Sequence, residues 1–232
     1  MKIIFNPFRF IQRLRHSGGF GVHSHFAFNL ILNTIHTPHS YYIYNENKRK
    51  IDKARLQKEA NLNYAELLFR LMNRFNAKDI LEIGSELGIN TLYIVAHSKQ
   101  TSVICVEQNE EKTETAQSLL ANKLENIIFT KALPTSENSF DAIVWNLDGY
   151  PLNKEIALQT LETIVNTIKT EGFIVLNHIN KSNQNKEMWQ MIRQKKTATM
   201  SFDLGSVGLV FFKPSLPKLN YDLYFKSYKR KQ

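Results

Sequence analysis

The chain has 232 residues, 43% of them hydrophobic, which suits one sizeable α/β domain with a small appendage and excludes disorder over most of its length. Thirty Lys and Arg against 21 Asp and Glu give a net charge of +9. That balance fits an anionic partner, but a solvated surface with a charged tail is the favoured reading. A lone cysteine excludes an internal disulfide and a multi-cysteine metal cluster, and no stretch reaches the roughly 18–20 apolar residues that span a bilayer.

Residues 1–60 read as an N-terminal helical extension, a candidate lid. Residues 1–11 are aromatic and basic, without the apolar core and small-residue cleavage site of a secretory signal, so a cytoplasmic protein is expected. Gly18-Gly19-Phe20-Gly21 is a flexible break. After it, Ser24 is a plausible N-cap for a helix whose face is Phe26, Leu30, Ile31 and Ile35, and Pro38 stops it. His23 in this segment is either a lid residue or part of the cap. A polar helix is expected over 48–60, and an amphipathic one over 64–75 with Leu67, Leu68, Leu71 and Met72 on its apolar side.

From Asp79 onward strand and helix patterns alternate. Strands are expected at 80–83, 103–106, 126–130, 142–145 and 172–176, with helices at 89–97, 112–123, 154–169 and 185–195. Such alternation implies a mostly parallel sheet covered on both faces, and the right-handed crossover rule makes it doubly wound. The ending differs: 197–204 and 207–212 are both strand-like and only Gly205-Ser206 separates them, so a tight hairpin reverses the last strand. The fold class is therefore a doubly wound, Rossmann-like, seven-stranded mostly parallel sheet with an antiparallel last strand. Residues 61–214 form that domain and 215–232 a basic, aromatic tail.

The segment Glu82-Ile83-Gly84-Ser85-Glu86-Leu87-Gly88-Ile89-Asn90-Thr91 carries the ligand chemistry. A buried strand runs into a glycine turn and a helix N-terminus, which lets backbone N–H groups approach a ligand. There is no third glycine in the dinucleotide register, and Glu82 at the strand end would be a poor neighbour for a pyrophosphate. Glu107, at the tip of the next strand, is placed to accept from both hydroxyls of a ribose. The pair describes a ligand with a ribose and a cationic end but no phosphates, and S-adenosylmethionine fits. The competing reading is that both glutamates cap strand ends at the surface.

On these residues, 62–213 resembles the class I S-adenosylmethionine-dependent methyltransferases. The loop is most similar to the catechol-type O-methyltransferase branch, whose pattern Glu-x-Gly-x-x-x-Gly-x-Ser/Thr tolerates Glu86. Gly21-Val22-His23-Ser24-His25-Phe26 and 203–212 also resemble uncharacterised bacterial proteins of this kind. The resemblance implies S-adenosyl-L-methionine as cofactor, held by Glu82, Gly84, Ser85, Gly88, Asn90, Thr91 and Glu107. In that branch a divalent metal sits on carboxylates at the ends of the fourth and fifth strands. Here those positions are Asn146 and Asn177, amides that serve a hard cation poorly, so no metal is expected. Asp148 and His178 remain as candidate catalytic residues. A small-molecule acceptor is expected, with oxygen as the acceptor atom. A nucleic-acid acceptor is disfavoured because Asn146-Leu147-Asp148-Gly149-Tyr150-Pro151 lacks the Asn/Asp-Pro-Pro-Tyr order of amino-group methyltransferases. The alternatives are a binding protein that has lost catalysis and a nucleic-acid-directed enzyme motivated by the +9 charge. The aromatic residues at both ends suit an acceptor pocket, a homodimer face or ordinary packing, and the lysine-rich tail also suits contact with an anionic surface.

Overall fold

The computed structural model describes residues 7–149 and 154–225. The chain runs α1 (Pro7–Ser17), α2 (His25–Leu30) continued by a wider π turn (Ile31–Ile35), α3 (Tyr42–Lys53) and α4 (Leu62–Phe75). Then come β1 (Asp79–Ile83), α5 (Ile89–Ile94), β2 (Ser102–Val106), α6 (Glu110–Leu120) with a short 3-10 turn, β3 (Ile127–Thr130) and β4 (Phe140–Asn146). The remainder is α7 (Lys154–Thr167), β5 (Ile168–Asn177), α8 (Asn183–Gln194), β6 (Met200–Asp203), β7 (Val207–Phe211) and β8 (Leu219–Asp222).

The strands form one sheet in the order β3-β2-β1-β4-β5-β7-β6-β8. β7 is antiparallel to both its neighbours, and every other pairing is parallel. The apolar runs of the central strands β1, β4 and β7 and of the second half of β5 are buried on both faces, which is why they read as near-continuous apolar stretches. Along β1 the side chains alternate: Ile80 joins the core under α2–α5, while Leu81 and Ile83 join the core under α7 and α8. The helices α2, α3 and α4 belong to the first of these cores, since Ala27, Leu30, Ile31, Tyr44, Ile51 and Leu68 pack in the same cluster as Val103, Val144 and Phe211. Gly208 lets Trp189 of α8 lie on β7, for a Cβ there would stand 2.6 Å from the ring.

All seven expected strands form, and the reversed strand is where the hairpin puts it. Three elements differ from the sequence reading. The helix expected over 48–60 runs instead from Tyr42 to Lys53, because Ile43, Tyr44, Asn47 and Ile51 give it a buried face, and Arg55 in the left-handed region (φ 59°) ends it. Residues 7–17 form a helix, with Pro7 at its first position, where the missing N–H costs nothing. An eighth strand, β8, forms in what reads as the tail: Leu219–Asp222 pairs parallel to β6 and buries Tyr221. The open edge of β6 creates that strand, and four residues of weak local pattern do not announce it. Of the tail, residues 226–232 lie outside the described part, as do Tyr150 and Pro151.

Candidate functional site

The chain leaves β1 outward to β2 and β3 and returns through β4 and β5 on the other side, so the order reverses between β1 and β4. Open α/β sheets bind ligands at the strand C-termini beside such a reversal. Gly84 sits there with φ 73°, its N–H donating to the Val106 carbonyl at 2.8 Å. A Cβ on it would lie 3.1 Å from Gly149 and 3.2 Å from the Asn146 Cβ, so the turn closes tightly on the tip of β4. Gly88 (φ 75°) is required for a different reason: a Cβ would come 2.8 Å from that of Ala116 in α6. Between them Glu86 takes the left-handed region without being glycine (φ 50°), a strain of order 1 kcal/mol. Its N–H donates to Glu107 Oε2 at 2.9 Å and its carboxylate pairs with Lys112 at 3.4 Å. Ser85 is buried, and its Oγ has no hydrogen-bond partner among the described residues.

Glu107 is buried at the tip of β2. Its Oε2 accepts from Glu86 N–H and its Oε1 from Asn109 N–H at 3.0 Å. Two backbone donors fix the carboxylate and leave each oxygen a second lone pair. Glu82 has a different setting. It is 1% exposed, with Oε2 accepting from Thr91 Oγ1 at 2.6 Å and facing the Cys105 thiol at 3.8 Å. Oε1 has no partner among the described residues. Burial pushes its pKa up to about 8, against the smaller opposing pull of the Thr91 and Cys105 hydrogen bonds, and burial likewise pushes the Cys105 thiol up. The Thr91 hydroxyl is thus committed to Glu82 beneath α5, while Asn90 is half-buried in the first turn of that helix.

The two candidate catalytic residues come together at the tips of β4 and β5. The β4–β5 register sets Asn146 beside Asn177. His178 follows in the left-handed region (φ 63°), its N–H donating to Asn177 Oδ1 at 2.9 Å. Its Nδ1 lies 3.0 Å from Asn146 Oδ1 and 3.3 Å from Asp148 Oδ2. Asp148 N–H donates to the same Asn146 oxygen at 3.2 Å, which fixes the orientation of the amide. Both atoms facing Nδ1 are therefore acceptors, so Nδ1 carries the ring proton and Nε2 of the neutral ring keeps a bare lone pair. Burial alone would raise the Asp148 pKa, but hydrogen bonds from Lys181 (2.5 Å) and Asn185 (3.0 Å) and the charge of Lys181 bring it below the usual carboxylate range. Asn185 Nδ2 also donates to the His178 carbonyl at 2.9 Å, clamping the turn. Sequence reasoning missed Lys181 and Asn185 as partners of Asp148. Both stand near the start of α8, and only the fold brings that helix end beside the tip of β4.

Among the described residues no group of three or more His, Cys, Asp or Glu side chains could hold a metal ion. The Asn146 oxygen, at a position where the resembling branch has a carboxylate, already accepts from His178 and Asp148. A separate cavity of about 280 Å³ opens between Phe26, Phe75, Gly172 and Phe211, near Asp141 and Lys213, and its charged groups are paired as Asp141–Lys169 and Glu171–Lys213. The chemistry-bearing side chains lie instead at the strand tips.

No protein-family model and no curated protein matches the chain. Solved structures do. An O-methyltransferase from Bacillus cereus in complex with SAH is 17% identical, with a TM-score of 0.56 over 75% of this chain and 92% of that one. The O-methyltransferase TomG from Streptomyces achromogenes, in complex with SAM, is 14% identical with a TM-score of 0.55, covering 75% and 91%. A methyltransferase from Geobacter sulfurreducens is 11% identical with a TM-score of 0.56, covering 76% and 92%. These likenesses establish the fold as the Rossmann-like class I methyltransferase fold.

Proposed function

We propose that this protein is an S-adenosylmethionine-dependent methyltransferase that methylates an oxygen of a small-molecule acceptor without a metal. The observation that carries the reading is the Glu107 carboxylate, locked by two backbone N–H groups at the tip of β2 against a glycine turn at the strand-order reversal. Its two free lone pairs suit a vicinal diol such as that of a ribose. The residues present fit the cofactor: Ser85 Oγ and Glu82 Oε1 are buried polar atoms lacking partners among the described residues. Ser85, Gly84, Gly88 and Asn90 would hold the amino-acid end together with Glu82, and Glu107 the ribose.

When bound, S-adenosylmethionine supplies a methyl group on a sulfonium, already activated for displacement. This chain's residues orient the acceptor and take its proton. His178 Nε2 would accept the proton of the acceptor hydroxyl when that oxygen takes the methyl group. Asn146 and the ionised Asp148 hold Nδ1–H and stabilise the imidazolium. The amides at Asn146 and Asn177 support a metal-free route, because neutral oxygens are weak ligands for hard cations.

Calorimetry with S-adenosylmethionine and S-adenosylhomocysteine tests this. Glu107→Ala should weaken both about 10- to 100-fold, since it removes a charged acceptor of two hydroxyls, while Asn146→Ala leaves binding intact. No binding at millimolar ligand overturns the proposal. The same two amides also favour a second reading, a protein that binds cofactor without turnover. Absence of labelled methyl transfer to any small molecule of a cell extract, with cofactor binding intact, would select it.

A further inference from the structure

We propose that the groove between α3 and α6 binds the phosphate group of a small phosphate monoester. It lies toward the N-terminal ends of β2 and β3, bordered by the residues that lead into those strands, whereas the candidate site occupies the C-terminal tips. The inference does not depend on methyl transfer.

The lining is the first observation. A cavity of about 330 Å³ has Lys50 and Lys53 of α3, Thr115 and Ser118 of α6 and Lys123 of the 3-10 turn in its wall, and among the described residues no carboxylate lines it. Lys50 pairs with Glu46 at 2.9 Å, but neither Lys53 nor Lys123 has an ion pair among the described residues. The wall therefore keeps two uncompensated positive charges. Lys50 and Lys53 stand in the last turn of α3, where the helix dipole favours cations, so their presence alone points to no ligand. Lys123 is different. It is half-buried, and burial first and the Lys50 charge second lower its pKa, against the smaller pull of Glu46. An anion held between the lysines would offset both penalties.

The second observation is shape. The rest of the wall is apolar, from Leu92, Leu119 and Leu120, and the volume suits a small molecule. A second cavity, of about 530 Å³, also has Lys123 in its wall, together with Val95, Ala96 and Tyr42, whose ring is 84% exposed. Tyr42 and Lys53 are the first and last residues of α3. They lie about three turns apart, roughly 16 Å along the axis, and so face the same side of the helix. The groove is thus cationic at one end and aromatic at the other, with room for a phosphate and a compact organic body between.

The charge count selects the anion. A phosphate monoester brings about 1.5–2 negative charges at neutral pH and three acceptor oxygens. These match the two unpaired ammonium groups and the Ser118 hydroxyl, Thr115 Oγ1 being committed to the Glu111 carbonyl at 2.9 Å. A carboxylate brings one charge and two oxygens, and leaves one lysine unanswered. A nucleic acid offers singly charged phosphodiesters along a chain and needs a continuous basic track. Here Glu46 covers Lys50 and Glu125 lines the second cavity, so a single phosphate is the better match.

The test is calorimetry of the full chain with inorganic phosphate and phenyl phosphate, and with benzoate as the singly charged control. Phenyl phosphate should bind about tenfold tighter than benzoate, and high salt should weaken it. The pair Lys53→Ala and Lys123→Ala should lower its affinity about tenfold or more with an unchanged circular dichroism spectrum. Lys53→Ala alone, at an exposed position, should account for part of that loss. No binding of either phosphate at millimolar concentration overturns the inference. So does equal binding of benzoate, or an undiminished response in the double variant. Binding of S-adenosylhomocysteine should be the same in the variants as in the wild type, and its loss would merge this groove with the candidate site and overturn the inference. A single-stranded oligonucleotide that binds more tightly than phenyl phosphate, and loses affinity in the double variant, makes the groove a nucleic-acid surface and overturns it equally.

Discussion

Replacing Glu82 by Gln should make the protein's stability less sensitive to pH. Burial raises the Glu82 pKa from 4.5 to about 8 in the folded chain. Below pH 4.5 both states hold the proton, and the group favours neither. Between 4.5 and 8 the unfolded chain releases its proton while the folded chain keeps it. Stability therefore falls as pH rises, by about 1.4 kcal/mol per unit, until the folded carboxyl also ionises. Raising pH from 5.5 to 7.5 should thus cost the wild type about 2–3 kcal/mol more than the Gln variant, which stays neutral throughout. His36 and His97, whose pKa values burial lowers, pull the other way, but they are common to both proteins and cancel in the comparison. Urea unfolding of both proteins across this range reads the difference directly. A difference that stays flat with pH would refute the account of Glu82 as a buried, mostly protonated acid.

Gly88→Ala should destabilise by about 2–4 kcal/mol in thermal or urea unfolding, combining the left-handed strain with the overpacked contact on Ala116. Adding Ala116→Gly should recover the contact part, and no recovery would mean that strain alone decides. For the neutral His178 ring, nitrogen-15 chemical shifts should show the proton on Nδ1, and Asn146→Leu should weaken that preference. A ring protonated on Nε2 would remove His178 as the base.

Much of the fold follows from local pattern. The apolar strands, the helix spacings between them and the Gly205-Ser206 turn state the doubly wound sheet with its reversed strand, because period and turn chemistry act over a few residues. The same holds for Gly84: a strand that ends in Glu-x-Gly before a helix needs left-handed backbone there. Glu107 was legible as a strand-tip carboxylate, and Asp148 and His178 as polar residues at two other tips. Edge strand β8 and the start of α3 were not legible, since each exists to complete a surface offered by a distant part of the chain.

What the sequence determined by itself is the order of elements and the residue types at the strand tips. Only the tertiary structure decided what those side chains do. It turned Glu82 and Thr91 toward each other in a dry interior and so pushed up the Glu82 pKa. It aimed His178 Nδ1 at Asn146 and Asp148, and it set α1 against the end of β6, where Arg13 pairs with Asp203. The physical reason is the same in each case. Burial, hydrogen-bond geometry and summed charge depend on neighbours far apart in the chain, whereas local pattern records only neighbours along it.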